Sequence, residues 1–202
     1  MLDVSQRPIV IIGGGRVAAR KAKGLLDAGA TQITVVAPEF CDLVPGHVKR
    51  ITARYASDHL AGAGLVLAAT DDADVNAAVV RDAHQLGVLV SRADSTDEDA
   101  GDFSTPAVIR EENLVVTVSA GGSPTLAAAL RDELQSQLNP RWSKMASAMK
   151  VLRPRALAIV SVEKRRELLR DMATPAAMDV LNLDGIEALW NWLRQRHLSE
   201  KA

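Results

Sequence analysis

The stretch from Pro8 to Ala30, PIVIIGGGRVAARKAKGLLDAGA, constrains the fold more than any other part of the chain. An apolar run, Ile9 to Ile12, breaks into Gly13, Gly14 and Gly15 and restarts as a helical pattern carried by Val17, Ala18, Ala22, Leu25 and Leu26. Ala28-Gly29-Ala30 then supplies a stop before a second apolar run, Ile33 to Val36. Strand, tight turn and helix in that order predict a βα unit. The spacing Gly13-x-Gly15-x-x-Ala18 is the dinucleotide fingerprint with alanine in third place. Gly13 permits the turn, Gly15 lets backbone approach a pyrophosphate, and Ala18 lets helix pack on strand. The free N–H groups of the helix start would face the phosphates. The plain alternative is a strand–helix junction whose glycines only relieve crowding; the surrounding strand–turn–helix pattern favours the nucleotide site.

The second strand ends in Ala37-Pro38-Glu39. The acidic residue that usually holds the adenosine ribose therefore sits a little past the strand tip, and Glu39 reaches the ribose only from the loop. That tripeptide holds no arginine to receive a 2′-phosphate, which favours NAD over NADP.

From Pro8 to about Ala93 short β-type runs alternate with helical patterns: Ile9 to Ile12, Ile33 to Val36, Val48 to Tyr55, Leu65 to Thr70 and Val88 to Val90. Such alternation implies an α/β fold, a Rossmann-like doubly wound parallel sheet. Asp72 to Leu86, with Val75, Ala78, Val79 and Ala83 at helical spacing, is long enough for a crossover helix. Right-handed crossovers then place the loops after Ile12, Val36, Thr70 and Val90 along one carboxyl edge, where a cofactor would lie. After Asp94 comes an acidic loop with Asp97, Glu98, Asp99 and Asp102, and then two β-type runs, Ala107 to Ile109 and Leu114 to Ser119, joined as a hairpin. Ser123 caps and Pro124 opens a helix running to about Leu138, and the pattern from Asn139 onward is mostly helical. The expected organisation is a dinucleotide-binding domain over 1–102, a hairpin–helix region over 103–138 and an all-helical C-terminal domain over 139–202.

Composition narrows the function. A formal net charge of −1 gives no pull toward nucleic acid, and six aromatic residues leave little for base stacking. One cysteine, Cys41, excludes an intrachain disulfide and a thiolate metal cage, and a reducing cytoplasm is the simplest setting. No basic leader followed by a long apolar run opens the chain, and no segment reaches membrane-spanning length. The histidines His47, His59, His84 and His197 form no ligand spacing and read as surface or partly packed residues. The acidic loop lacks EF-hand spacing and reads as solvated. Trp142, Trp190 and Trp192 read as packing anchors of the helical tail. Residues 139–170 carry nine Lys or Arg against two acids, which suits a solvated basic face or an anion-receiving wall.

Four features together exceed a generic dinucleotide fold: GGGRVAARKA, then LAATDDADVN from Leu67 to Asn76, then SRAD from Ser91 to Asp94, then VSAGGSPTLAAALRDEL from Val118 to Leu134. In this order they resemble the precorrin-2 dehydrogenase/sirohydrochlorin ferrochelatase family, including the N-terminal module of bacterial siroheme synthase. The resemblance runs from about Pro8 to Leu138. It implies NAD-dependent oxidation of precorrin-2 to sirohydrochlorin, with ferrous iron insertion as a second activity in some members, and a homodimer formed through the region after the Rossmann domain. In this chain that region is Phe103 to Ser119 with its following helix, although Leu114, Val115, Val116 and Val118 would serve equally in an internal sheet. It also implies an essential aspartate after strand five, matched here by Asp94, and NAD contacts just after the glycines and strand two, matched by Arg16, Val17, Pro38 and Glu39.

Ordinary chemistry agrees with this assignment: oxidising a reduced tetrapyrrole removes a hydride and a proton, so a carboxylate at the cofactor edge is a reasonable base. Asp94 as a turn cap is the bland alternative. Thr70, at the end of strand four, stands beside the nicotinamide half of NAD, while Asp71 or Asp72 caps the following helix. The glycine turn departs from bacterial siroheme synthase, because Ala120 replaces a serine and the turn is one residue shorter; no role of that hydroxyl carries over. The chain of 202 residues is expected to leave upstream methylation to another protein. A rival function on the same fold is an NAD(H)-sensing regulatory module without catalysis.

Overall fold

The computed structural model describes residues 2–93, 101–159 and 161–197, with Glu163 described by its backbone alone. The chain divides into two compact units, Met1–Thr105 and Pro106–Ala202.

The first unit is a parallel five-stranded sheet in the order β3-β2-β1-β4-β5, built from β1 (Ile9–Ile12), β2 (Ile33–Ala37), β3 (Lys49–Thr52), β4 (Leu65–Ala68) and β5 (Val90–Arg92). The central strand β1 pairs Ile9 with Ile33 on one side and with Leu65 on the other. All four residues of β1 and of β4 are buried, as expected of a parallel sheet covered on both faces. Alternation along the strands splits the core in two. Ile9, Ile11, Val35, Leu65 and Leu67 pack with Ala18, Ala19 and Ala22 of helix α1 (Arg16–Asp27). Val10, Ile12, Val36, Val66 and Ala68 pack with Val79, Val80 and Ala83 of helix α2 (Ala73–Gln85). Alanine at three positions of α1 lets that helix sit close to the strands, the packing task assigned to Ala18.

Several strand boundaries differ from the sequence reading; the fourth strand, for one, ends at Ala68 and not at Thr70. Val88 lies in the turn that closes α2 and not in β5: its N–H bonds the Ala83 carbonyl at 2.9 Å after Gly87 turns the backbone to φ +67°. The third strand stops at Thr52, and Tyr55 instead turns its hydroxyl to the Asp82 carboxylate at 2.7 Å. Burial and that carboxylate both push the Tyr55 pKa well above the ordinary phenol value.

The second unit begins with the antiparallel hairpin β6 (Ala107–Glu111) and β7 (Leu114–Val118), in which Ile109 faces Val116. Helix α3 (Pro124–Gln137) follows, with the Ser123 hydroxyl accepting from the Leu126 N–H and Pro124 in the first turn, as predicted. Three more helices, α4 (Arg141–Ile159), α5 (Val162–Asp171) and α6 (Pro175–His197), gather around Met145, Leu152, Leu168, Met172, Leu189 and Leu193. Trp190 and Trp192 pack against that core. Trp142 does not. Its ring is 43% exposed under the Arg141 guanidinium, so only two of the three tryptophans serve as the predicted anchors.

Candidate functional site

The glycine turn leaves β1 at the carboxyl edge, and its geometry divides the work among three glycines. Gly13 adopts φ +124°, a region that side chains avoid, and donates to the Val36 carbonyl at 2.9 Å. A Cβ there would overlap the Ala69 carbonyl oxygen. Gly14, to which the fingerprint assigns no task, is equally constrained. A Cβ on it would overlap the Glu39 carbonyl oxygen, and its own carbonyl accepts from the Cys41 N–H at 2.9 Å. Gly14 is therefore where the loop after β2 closes on the turn. The signal that could have found it is the middle one of the three consecutive glycines, which the Gly-x-Gly spacing leaves spare.

Gly15 is the opposite case. It has φ −82° and ψ −173°, extended backbone open to any residue, and no atom lies within 4 Å of the place a Cβ would occupy. The protein itself makes no demand for glycine at this position. Gly15 is also the N-cap of α1, and it lacks a side chain that could cap the helix; the first turn carries no acidic residue. The leading N–H groups, which have no intrahelical partners, and the positive end of the helix dipole thus face outward. Arg16 and Val17 are exposed in that first turn, and Pro38 and Glu39 are exposed just past β2.

The turn after β4 is built differently. Asn76, fully buried, accepts the Thr70 N–H at 3.1 Å and donates to the Thr70 carbonyl at 3.0 Å. The Thr70 hydroxyl lies 2.8 Å from Asn76 Oδ1 and accepts the Asp72 N–H at 3.2 Å. Asp72 caps α2, its Oδ1 accepting from the N–H groups of Asp74 and Val75. Of the two aspartates that could cap this helix, Asp72 does so. Thr70 stands at the carboxyl edge beside Gly13, as expected, with its hydroxyl tied into the turn.

Asp94, Asp97, Glu98 and Asp99 lie outside the described residues, two or more positions past Arg92, the end of β5. The Ala93 N–H bonds the Ala68 carbonyl at 2.9 Å, and Gly101 pairs with Ser91 in an antiparallel bridge. Asp102 is exposed, as expected, and is also engaged: its Oδ2 accepts the Val90 N–H at 2.9 Å and its Oδ1 lies 3.3 Å from His84 Nε2. Phe103 packs into the α1-side core, and Lys21, of the Arg20-Lys21 pair, donates to the Thr105 hydroxyl. Burial, reinforced by neighbouring Arg20, lowers the Lys21 pKa from its ordinary value.

A cavity of about 530 Å³ lies at the amino edge of the same sheet, among Pro8, Thr31, Lys49 and His59. In an open α/β sheet ligands bind at the carboxyl ends of the strands, so this cavity is not the dinucleotide site. Among the described residues no helix is long and apolar enough to cross a membrane, and no group of three His, Cys, Asp or Glu is gathered as for a metal ion.

Fold and turn together define a dinucleotide-binding module of the Rossmann type. Comparison with known proteins agrees. A family model described as putative NAD(P)-binding matches residues 1–107. Siroheme synthase of Chromobacterium violaceum is 41% identical over 150 residues, covering 72% of this chain and 32% of that protein. Siroheme synthase 2 of Aeromonas salmonicida is 35% identical over 194 residues, covering 93% of this chain and 40% of that protein. The chain thus spans about a third to two fifths of the length of these relatives. A solved structure titled SirC, precorrin-2 dehydrogenase, superposes with a TM-score of 0.75 at 25% identity, covering 96% of this chain and 98% of that one. The chain belongs to the putative NAD(P)-binding family whose model it matches.

Proposed function

We propose that the protein oxidises precorrin-2 to sirohydrochlorin with NAD on the route to siroheme. The observation that carries this reading is the end-to-end match to a precorrin-2 dehydrogenase structure, in which nearly the whole of both chains is covered. The residues present fit the dinucleotide. Gly15 leaves space at an uncapped helix start, where backbone N–H groups would hold the pyrophosphate. Arg16 and Val17 flank it, while Pro38 and Glu39 are exposed at the β2 tip for the ribose. Arg50, on the strand beside β2, is committed to the Val44 carbonyl at 2.6 Å and to the Phe40 ring, which supports NAD over its 2′-phosphorylated form.

Bound NAD supplies the acceptor for the hydride that leaves the tetrapyrrole. The chain supplies position and a base. Asp94, at the family's aspartate position, takes the proton lost as the new double bond forms, so that one hydride and one proton leave per turnover. Thr70 and Asn76 hold the backbone of the β4 turn that borders the nicotinamide half. We assign the homodimer to the second unit, where Leu126, Leu130 and Leu134 of α3 form an exposed apolar ridge at four-residue spacing. A cytoplasmic setting fits the single free thiol of Cys41.

The test is anaerobic incubation with enzymatically generated precorrin-2 and NAD, following NADH and tetrapyrrole absorbance, with ferrous ion added afterwards as substrate. Sirohydrochlorin formed only with NAD is expected. Asp94→Ala should abolish the oxidation and leave NAD affinity within about twofold, since its carboxylate acts on the tetrapyrrole. Conversion to siroheme faster than a protein-free control assigns the second activity. Tight NAD binding without oxidation would replace the enzyme with the sensor reading.

A further inference from the structure

The two faces of the five-stranded sheet are covered unequally. Helix α1 packs on one face and α2 on the other, where it lies with Val66 and Ala68 of β4. The crossover that returns from β3 to β4 runs over that second face, and parallel strands are usually joined by a helix. In this chain residues 53–64 hold only one 3₁₀ turn, Ser57–Leu60, anchored by the fully buried Leu60. The cleft of about 530 Å³ at the amino edge lies between this turn and the strands it leaves uncovered. Across its floor run Val10, Thr34 and Lys49, register partners on β1, β2 and β3, with Ile51 beside them. That volume falls within the roughly 300–1,000 Å³ of small-molecule sites.

The chemistry of the lining is one-sided. His47, Lys49 and His59 stand on it against a single carboxylate, Asp58. His47 and Lys49 are exposed, and neither makes a hydrogen bond or ion pair among the described residues. His59 Nδ1 accepts the Ala56 N–H at 3.0 Å, so the neutral ring carries its proton on Nε2 and keeps that nitrogen as a donor. Apolar surface lies next to these donors: Ile51 and Ala63 are half-buried and Ala61 is exposed. An exposed lysine alone gains little from a bulk ion, whereas a cation beside open apolar surface suits an anion that carries an apolar body.

We propose that this cleft is a second binding site, separate from that of the dinucleotide, for a small organic anion. Lys49, His47 and His59 receive its carboxylate or phosphate head, and Ile51, Ala61 and Ala63 receive an aliphatic body. Open α/β sheets bind at the carboxyl edge because loops and helix starts gather there. The amino-edge cleft has a different origin, a crossover without its helix, and its donors are side chains.

The experiment titrates the full chain with acetate, hexanoate, inorganic phosphate and butyl phosphate at neutral pH and constant ionic strength. The imidazole NMR signals of His47 and His59 report the site, and those of His84 and His197 serve as controls. Saturable shifts confined to His47 and His59 are expected with hexanoate, with butyl phosphate or with both, and the series that responds names the head group. The alkyl ligand should bind about tenfold or more tightly than acetate or inorganic phosphate, because each buried methylene is worth roughly fourfold in affinity. Lys49→Ala should weaken binding about tenfold or more, and its NAD affinity should stay within about twofold of wild type, since the glycine turn is at the opposite edge. Three results would overturn the proposal: no saturable shift with either alkyl ligand, equal affinity for acetate and hexanoate and for the two phosphates, or wild-type affinity in Lys49→Ala.

Discussion

Two helices begin at the carboxyl edge of the same sheet, and they begin in opposite ways. At α2 the N–H groups of Asp74 and Val75 go to the Asp72 carboxylate, and Thr70 and Asn76 knit the preceding turn. At α1 the N-cap is Gly15, which has no side chain to offer. A glycine at the N-cap costs only a few tenths of a kcal/mol relative to a good side-chain cap. The chain accepts that cost at one of two neighbouring helices. What separates the two turns is thus not their place in the topology but whether the helix N-terminus is spent inside the protein or kept for an anion.

Substitutions can break this contrast in graded steps. Gly14→Ala should have the largest effect, because its Cβ overlaps the Glu39 backbone, which cannot move without unseating the loop after β2. We expect about 3 kcal/mol of lost stability, read from urea unfolding, with NAD binding lost as well. Gly15→Asp should separate the two properties. It finds open space and supplies a cap, so the melting temperature should hold or rise slightly, while charge repulsion of the pyrophosphate weakens NAD about 100-fold or more by calorimetry, about 2.7 kcal/mol. Asn76→Ala attacks the other turn by removing the partner of the Thr70 N–H and carbonyl inside the core. A loss of about 2 kcal/mol in unfolding free energy is expected, with NAD affinity reduced less than in Gly15→Asp. Asp72→Ala should cost about 1 kcal/mol and leave NAD affinity unchanged, since it uncaps only α2.

The parts of this contrast that the sequence made legible are those encoded by local pattern. The five strands, the crossover helix and the Ser123-Pro124 helix start follow from periodicity and capping chemistry, and the structure places them within a few residues of expectation. Gly13 was legible because a tight turn after a strand demands it. Gly14 was not, because its constraint comes from Glu39, 25 residues away, and only the folded loop brings that carbonyl to it. Asp102 is exposed as expected, but its contacts were not legible for the same reason: in sequence it is the last of four acids in a polar run, while in space its oxygens also meet the Val90 N–H and His84. Trp142 shows the converse, a residue whose type suggested packing and whose place at the start of α4 leaves it exposed beside Arg141. The role of Asp94 rests on family resemblance, because a carboxylate after a strand has the same local signature as a turn cap.

The most direct test of the account is a calorimetric titration of NAD into wild type, Gly15→Asp and Asp72→Ala, with thermal unfolding measured on the same samples. The account predicts saturable binding in wild type and Asp72→Ala, none detectable in Gly15→Asp, and an unfolding temperature for Gly15→Asp no lower than that of wild type. Wild-type NAD affinity in Gly15→Asp would contradict it and remove the dinucleotide from the start of α1.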